Sequence, residues 1–346
     1  MSSWKKESMT LPSGGKVMAQ MPVIVSASRA TDIPAFYADW FMERLRAGYV
    51  RWHNPFNGVP LYVSFGETRL IVFWSKNPRP LFPHLDELDR ICPNYYFQYT
   101  LNDYDSERIE PHVPRIDSRI DTLIELSSRI GRDRVVWRFD PLVLTDNLDA
   151  DMLLDRIERI GDRVAPFAAR LVFSFIDINA YKKVSANLEQ GNVMAREFSS
   201  EEMLRMAEGI ARLARGWGIP AATCAEEISL DSLGIEHNRC IDDRLIVRCF
   251  SHDAKLMRAI GARYVQGDLF AVDEAKKFGH WSVSEDSRKD KGQRIACGCI
   301  MSKDIGEYNT CPHLCRYCYA NASDGIVLAN WKRHREYPHA ETITGR

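Results

Sequence analysis

The sequence predicts an α/β protein: a TIM-like (β/α) barrel followed by a C-terminal cysteine-rich iron–sulfur segment. Short apolar runs alternate with longer segments of helical periodicity along most of the chain, and repeated strand–helix units form parallel sheets. The 346 residues suffice for one barrel of roughly 250 residues with additions. Five of the nine cysteines fall between positions 297 and 318, a density typical of a metal site rather than of core packing.

The strand–helix alternation begins at residues 22–27, where the apolar run PVIVSA indicates a buried strand. The segment that follows, residues 35–47, has its large apolar side chains near helical spacing. Further strands are predicted at residues 68–74, 95–101, 134–139, 170–176, 220–224 and 245–250, with 49–53 as an additional strand or an edge. Further helices are predicted at residues 81–91, 115–130, 150–160 and 200–217. Six to eight such units without a break in composition favour a closed barrel over an open sheet.

Composition and charge predict three regions along the chain and indicate which partners to expect. We expect an N-terminal extension (1–20), the barrel (21–290) and a cysteine-rich tail (291–346) that binds the cluster. A formal net charge of −1 gives no overall field for a polyanion, so it does not indicate a nucleic-acid partner. The chain has no apolar run of about 18 residues, so no membrane helix is expected. The odd number of cysteines in a long chain does not fit a disulfide framework, and we expect a reducing cytoplasm.

Polar and charged side chains collect where the predicted strands end. In a barrel all of these ends lie on one face, which carries the active site. An arginine beside an apolar strand needs a counter-charge, so we take two Arg–Asp combinations as catalytic candidates: Arg29 with Asp32, and Arg138 with Asp140. The candidates for binding a cofactor are Asn102, Asp177 and Glu226. The alternative is that such residues cap helices and form turns.

Cys311, Cys315 and Cys318 have the spacing C-x3-C-x2-C. Three thiolates on one short loop can bind three irons of a [4Fe–4S] cluster and leave the fourth iron open to a substrate or cofactor. The alternative is a structural zinc ion, with His313 or one of the cysteines at 297 and 299 as the fourth ligand.

Four other cysteines could form a second metal centre. Cys297 and Cys299 can give two ligands to one metal, and Cys224 and Cys240 stand in loops next to acidic residues. We expect either a second iron–sulfur cluster or a zinc ion there. The alternative is that Cys224 and Cys240 are small buried hydrophobic residues.

The string CPHLCRYCY (residues 311–319) resembles the cluster loop of the radical S-adenosylmethionine enzymes. The resemblance implies a [4Fe–4S] cluster whose open iron binds S-adenosyl-L-methionine, reductive cleavage of that cofactor, and radical chemistry on a substrate. It also implies that Tyr317 packs near the adenine, and that a reductant such as flavodoxin or ferredoxin supplies the electron. In that family the loop follows the first barrel strand. Here it lies near the C-terminus, so we expect a permuted barrel or a C-terminal segment that folds over the barrel mouth.

Nearly the whole chain is similar to a bacterial family known as domain of unknown function 1848, through SASRATDIPAFYADWF (26–41), VFWSKNP (72–78), YYFQYTLN (95–102), VVWRFDP (135–141) and CGCIMSKDIGEYNTCPHLCRYCYAN (297–321). That resemblance implies a barrel with an iron–sulfur tail and no particular reaction. The sequence therefore predicts a radical S-adenosylmethionine enzyme with an unknown substrate. The alternatives are a zinc- or metal-dependent barrel enzyme acting on nucleic acid or a small molecule, and a non-catalytic protein for electron transfer or redox sensing.

Overall fold

An eight-stranded parallel sheet lies at the centre of the computed structural model, which describes residues 4–54, 57–267, 278–284, 289–294 and 296–346. In chain order the strands are β1 (Lys6–Thr10), β2 (Lys16–Gln20), β3 (Ile24–Ala27), β4 (Tyr49–His53), β5 (Pro60–Ser64), β6 (Leu70–Ser75), β7 (Tyr95–Thr100), β8 (Val135–Leu142), β9 (Leu144–Thr145), β10 (Leu171–Phe175), β11 (Ala195–Arg196), β12 (Ala221–Thr223), β13 (Glu236–His237), β14 (Arg263–Val265), β15 (His280–Ser282) and β16 (Lys303–Asp304). The helices are α1 (Ile33–Phe36), α2 (Ala38–Ala47), α3 (Leu85–Ile91), α4 (Ile116–Ile130), α5 (Ala150–Val164), α6 (Lys182–Gln190), α7 (Ser200–Trp217), α8 (Asp243–Phe250), α9 (Ala254–Ala259) and α10 (Asp324–Glu336).

The strand order of the central sheet follows the chain. It runs β13-β12-β10-β8-β7-β6-β3-β16, and every neighbouring pair is parallel. The last strand, β16, therefore lies beside the first, as it would in a singly wound barrel. In the described part of the chain no ladder joins β13 to β16, so the sheet is consistent with a TIM-like barrel but is not closed. One backbone hydrogen bond, from Ile300 N to Ile241 O (3.1 Å), crosses the gap between them.

The strands of this sheet are apolar on both faces, as expected for parallel strands covered on both sides. Successive side chains of β6 alternate between two hydrophobic clusters: Leu70 and Val72 enter one, and Ile71 and Phe73 enter the other. All four are fully buried. This double burial explains why the strands stand out in the sequence as continuous apolar runs.

The structure confirms the helix predicted at residues 200–217, which is α7. Its limits are predictable because residues next to each end start and stop the helix. The Ser199 side chain accepts a hydrogen bond from the backbone of Glu202, and the Glu202 side chain accepts one from the backbone of Ser199, which forms a capping box. At the other end, Gly218 adopts a positive φ of 69°, a conformation that favours glycine.

The strand predicted at residues 245–250 is wrong, because these residues form helix α8. The Asp242 side chain accepts hydrogen bonds from the backbone N–H groups of Arg244 and Leu245 and so starts a helix. Leu245, Ile246 and Phe250 are buried on its inner face. Periodicity alone cannot separate a short buried helix from a buried strand.

The predicted N-terminal extension contains a hairpin of β1 and β2. Strand β2 pairs with β5, and β5 pairs with β4, in a separate four-stranded sheet. Residues 6–20 are thus joined to residues 49–64 by strand pairing, although the limits of the domains stay a prediction.

Candidate functional site

The loop of residues 311–318, called the cysteine loop below, lies over the carboxyl ends of the central strands. His313 Nε2 lies 2.9 Å from Asp32 Oδ2, in the segment that follows β3. Arg316 N donates to Ile109 O (2.8 Å), in the connection that follows β7. These contacts fix the loop at the sheet edge where barrel enzymes carry their active sites.

Asp32, a predicted catalytic residue, holds four groups in place. Its carboxylate accepts hydrogen bonds from Ser75 Oγ (2.7 Å), Lys76 N (2.7 Å) and Ala35 N (3.0 Å), in addition to its contact with His313. It therefore caps α1 and links β6 to the cysteine loop. The carboxylate that we predicted would face Arg29 contacts His313 instead, and its predicted catalytic role stays a prediction.

The three thiols of the cysteine loop are brought together and withdrawn from water. Leu314 adopts a positive φ of 55°, and Cys318 N donates to Cys315 O (3.0 Å), so the loop turns sharply between its cysteines. Burial, together with the negative charges of Asp32 and Cys318, raises the pKa of Cys311 to about 12. Burial also raises the pKa of Cys315 and of Cys318. Thiols in this position need a cation or a metal to become thiolates.

Beside these thiols is a buried polar network that contains Tyr317 and Asn102. Lys76 Nζ donates to Glu110 Oε1 (2.8 Å) and to the Tyr317 hydroxyl (2.7 Å), and Asn102 Nδ2 donates to the same hydroxyl (3.0 Å). Burial alone would raise the pKa of Glu110, but the positive charges of Lys76 and Arg119 lower it to about 2. The hydroxyl of Tyr317 is thereby held by protein groups, while its ring packs against Tyr104 with centroids 6.3 Å apart.

Cys224, Cys240, Cys297 and Cys299, called the four-cysteine group below, meet at the gap in the sheet. The sulfur atoms of Cys224 and Cys240 are 3.7 Å apart. The thiols of Cys240 and Cys297 lie close enough to the Cys299 thiol to shift its pKa. Cys299 Sγ also accepts a hydrogen bond from Cys240 N (3.1 Å).

Neither set of cysteines has the geometry of a metal site in the structure. Among the described residues, no three or more His, Cys, Asp or Glu side chains form a group that could hold a metal ion without rearrangement. A metal site there would require the side chains to rotate about their Cα–Cβ bonds towards a common centre.

Arg29 and Arg138, the other predicted catalytic residues, lie against the four-cysteine group. Arg138 Nη1 donates to Cys240 Sγ (3.1 Å), and Arg138 also forms an ion pair with Asp140, as its position beside that residue predicted. The Arg29 guanidinium lies 4.9 Å from the centroid of the Trp74 ring. Its buried Nη2 atom has no hydrogen-bond partner among the residues that the structure describes.

Asp177 and Glu226, predicted to bind a cofactor, lie near the ends of β10 and β12. Arg294 Nη1 donates to Asp177 Oδ2 (3.0 Å), and Phe175 N donates to Glu226 Oε1 (2.9 Å). Burial raises the pKa of Glu226 to about 7. Both carboxylates therefore have protein partners on the same side of the sheet edge as the four-cysteine group.

Sequence reasoning did not select Lys76 or Glu110. Lys76 directly follows β6, so the rule that polar residues at strand ends form the site could have found it. Glu110 lies in the connection between β7 and α4 and carries no such signal. Only the folded chain brings it to Lys76 and Tyr317.

None of the helices in the described part of the chain combines the length and the apolar content that a membrane span requires. A family model described as "Domain of unknown function (DUF1848)" matches residues 24–320. The chain matches no curated protein.

Two solved structures show weak similarity to the chain. A PaMucR phosphodiesterase in a c-di-GMP complex is 15% identical, with 54% of this chain and 77% of that chain covered and a TM-score of 0.19. An enolase protein from environmental shotgun sequencing of the Sargasso Sea is 11% identical, with 59% and 48% covered and a TM-score of 0.18. Similarity at this level carries no argument about fold or function.

Proposed function

This chain belongs to the domain of unknown function 1848 family, and we propose that it is an iron–sulfur enzyme of the radical S-adenosylmethionine type. Cys311, Cys315 and Cys318 would hold a [4Fe–4S] cluster. When bound, such a cluster supplies the electron that cleaves S-adenosyl-L-methionine and starts radical chemistry on a substrate. The expected setting is the cytoplasm, with flavodoxin or ferredoxin as reductant.

The observation that carries this proposal is that the cysteine loop offers three thiols and that the described residues provide no free fourth ligand beside them. His313, the histidine within the loop, uses both ring nitrogens: Nε2 contacts Asp32 (2.9 Å) and Nδ1 contacts the His112 carbonyl (3.1 Å). Cys297 and Cys299 interact with each other and with Cys240 instead. Three thiolates fit a cluster with one open iron, whereas structural zinc requires four ligands.

The protein groups around the loop suit this role. Lys76 brings a buried positive charge close to Cys315 and Cys318, and this charge favours their thiolate forms. Asp32 and His313 hold the loop against the strand ends. The Tyr317 ring is only partly buried and has its hydroxyl fixed, so one part of its surface remains available to stack on a planar group.

Analysis of anaerobically purified protein tests this proposal. We expect about four irons and four sulfides in the cluster of the cysteine loop. Adding S-adenosyl-L-methionine should change the electron paramagnetic resonance spectrum of the reduced cluster, and dithionite should release 5′-deoxyadenosine and methionine. Cys315→Ala should abolish both effects. Cys249→Ser, which changes a half-buried cysteine on α8, should leave both intact.

Two results would contradict the proposal. Zinc in place of iron on the cysteine loop, in protein made under iron-replete anaerobic conditions, would favour a metal-dependent enzyme with a structural tail. An intact cluster whose spectrum ignores S-adenosyl-L-methionine would favour electron transfer or redox sensing.

A further inference from the structure

We propose that the four-cysteine group binds one tetrahedral zinc ion, separate from the cluster of the cysteine loop, and that this ion closes the gap in the barrel. The ligands would be Cys224, Cys240, Cys297 and Cys299. This inference does not depend on the proposed function, because it concerns different side chains.

The positions of the four cysteines in the sheet support a bridging role. Cys224 directly follows β12, and Cys240 comes shortly after β13. Cys297 and Cys299 precede β16, which pairs with β3 on the far side of the gap. Ligands therefore come from both sides of the gap, which the hydrogen bond from Ile300 N to Ile241 O also crosses.

The sulfur–sulfur distance favours one ion over a [4Fe–4S] cluster. Tetrahedral zinc has Zn–S bonds of about 2.3 Å, which place neighbouring sulfur atoms about 3.8 Å apart. Cys224 Sγ and Cys240 Sγ are 3.7 Å apart. In a [4Fe–4S] cluster each thiolate binds a different iron, so the four sulfur atoms are spread further apart.

The remaining thiols need only a small rearrangement. The contacts run from Cys224 through Cys240 and Cys299 to Cys297. Cys297 is also within electrostatic range of Cys224 and Cys240. Rotation of the Cys297 thiol towards Cys224 would complete the four-ligand set.

The surroundings match the charge of such a site. One zinc ion with four thiolates carries a net charge of about −2. Arg138 donates to Cys240 Sγ (3.1 Å), and Arg29, which is within electrostatic range of Cys299, has a buried Nη2 atom with no hydrogen-bond partner among the described residues. Buried Arg138, which also pairs with Asp140, and half-buried Arg29 thus face the group and offset part of this charge.

Neutral donors add to the arginines. Cys299 Sγ accepts from Cys240 N (3.1 Å) and Ile241 N (3.4 Å), and Cys240 Sγ accepts from Asn238 Nδ2 (3.3 Å). Hydrogen bonds of this kind orient metal ligands and stabilise thiolates.

Metal analysis of two variants and a control tests the inference. Wild-type protein should contain about one zinc per chain in addition to any iron. The triple variant Cys311→Ala, Cys315→Ala, Cys318→Ala should keep this zinc and lose the iron of the cysteine loop. The double variant Cys297→Ser, Cys299→Ser should lose the zinc and keep the iron. Cys249→Ser should keep both metals.

X-ray absorption at the zinc edge tests the inference on wild-type protein, so the result does not depend on whether the variants fold. We expect four sulfur neighbours at about 2.3 Å. The inference is overturned if the triple variant retains iron without zinc, if zinc persists in the double variant, or if mass spectrometry of native protein finds a Cys224–Cys240 disulfide. Because the triple variant lacks the cysteine loop thiols, its zinc content is read independently of the proposed enzyme activity.

Discussion

Replacing Lys76 by methionine removes a buried ammonium group and keeps a side chain of similar length. Lys76 Nζ donates to Glu110 Oε1 (2.8 Å), and only 3% of the Glu110 side chain is exposed. The variant would leave this carboxylate with Arg119, whose Nη1 is 3.4 Å away. Removing one partner of a buried ion pair is costly because the other charge stays out of water.

The shift in the pKa of Glu110 gives the size of the stability loss that we expect for Lys76→Met. Burial would raise this pKa, but the charges of Lys76 and Arg119 lower it from 4.5 to about 2, which corresponds to ~3 kcal/mol in favour of the charged form. Because the folded pKa lies below the unfolded one, this stabilisation is complete above about pH 4.5 and is lost as the pH falls towards 2. We expect Lys76→Met to lower the free energy of unfolding by ~2–3 kcal/mol at pH 7. At pH 4 the difference from the wild type should narrow by ~1 kcal/mol.

Anaerobic urea unfolding, followed by tryptophan fluorescence, measures these differences. The matched control is Lys332→Met, because the Lys332 side chain is 74% exposed and lies 4.0 Å from Glu336; it should cost less than ~0.5 kcal/mol. Adding Glu110→Gln to Lys76→Met removes the isolated carboxylate and should restore part of the lost stability. Two results would refute the reasoning. One is a decrease in the free energy of unfolding for Lys76→Met that is no larger than the decrease for the control. The other is a decrease of the same size at pH 7 and pH 4.

Two further predictions concern Asp32 and Lys303. Asp32→Ala removes the acceptor shared by α1 and His313, so it should cost ~2–3 kcal/mol and lower the iron content per chain; unchanged iron and stability would contradict its positioning role. Burial lowers the pKa of Lys303 to about 8, and its Nζ lies 3.1 Å from the centroid of the Trp52 ring. Folding thus disfavours the charged lysine, and wild-type stability should rise as the pH rises from 8 towards 10.5. Lys303→Met should therefore be more stable than the wild type by ~2 kcal/mol at pH 7, with a smaller gain at pH 10. An equal difference in stability between Lys303→Met and the wild type at pH 7 and pH 10 would contradict this prediction.

The sequence predicts six strands of the central sheet because each buries both faces. Strands β3, β6, β7, β8, β10 and β12 all overlap predicted apolar runs. The two edge strands, β13 and β16, have two residues each and no apolar run. Their pairing depends on neighbours distant in sequence, such as Lys303 beside Val25, and no local pattern encodes it.

The site is predictable only in part for a similar reason. Cysteine spacing and polar strand ends select residues that the structure does bring to one sheet edge, including Arg138 with Asp140. The sequence also groups Cys224 and Cys240 with Cys297 and Cys299, and the structure brings these four together, although their metal centre stays a prediction. Spacing does not show that Asp32 pairs with His313 instead of Arg29.

The C-terminal segment of residues 297–318 carries five cysteines and also contributes a strand to the central sheet. Between Cys299 and Cys311 the chain forms β16, and Asp304 Oδ2 accepts hydrogen bonds from Ser26 Oγ and Arg29 N (both 2.8 Å). The segment that carries the cysteine loop and two cysteines of the four-cysteine group is therefore also an edge strand of the central sheet. Docking of this segment adds the strand β16 to the sheet beside β3. Metal binding to that segment should consequently stabilise the whole sheet, because a ligand that binds only the folded chain shifts the folding equilibrium.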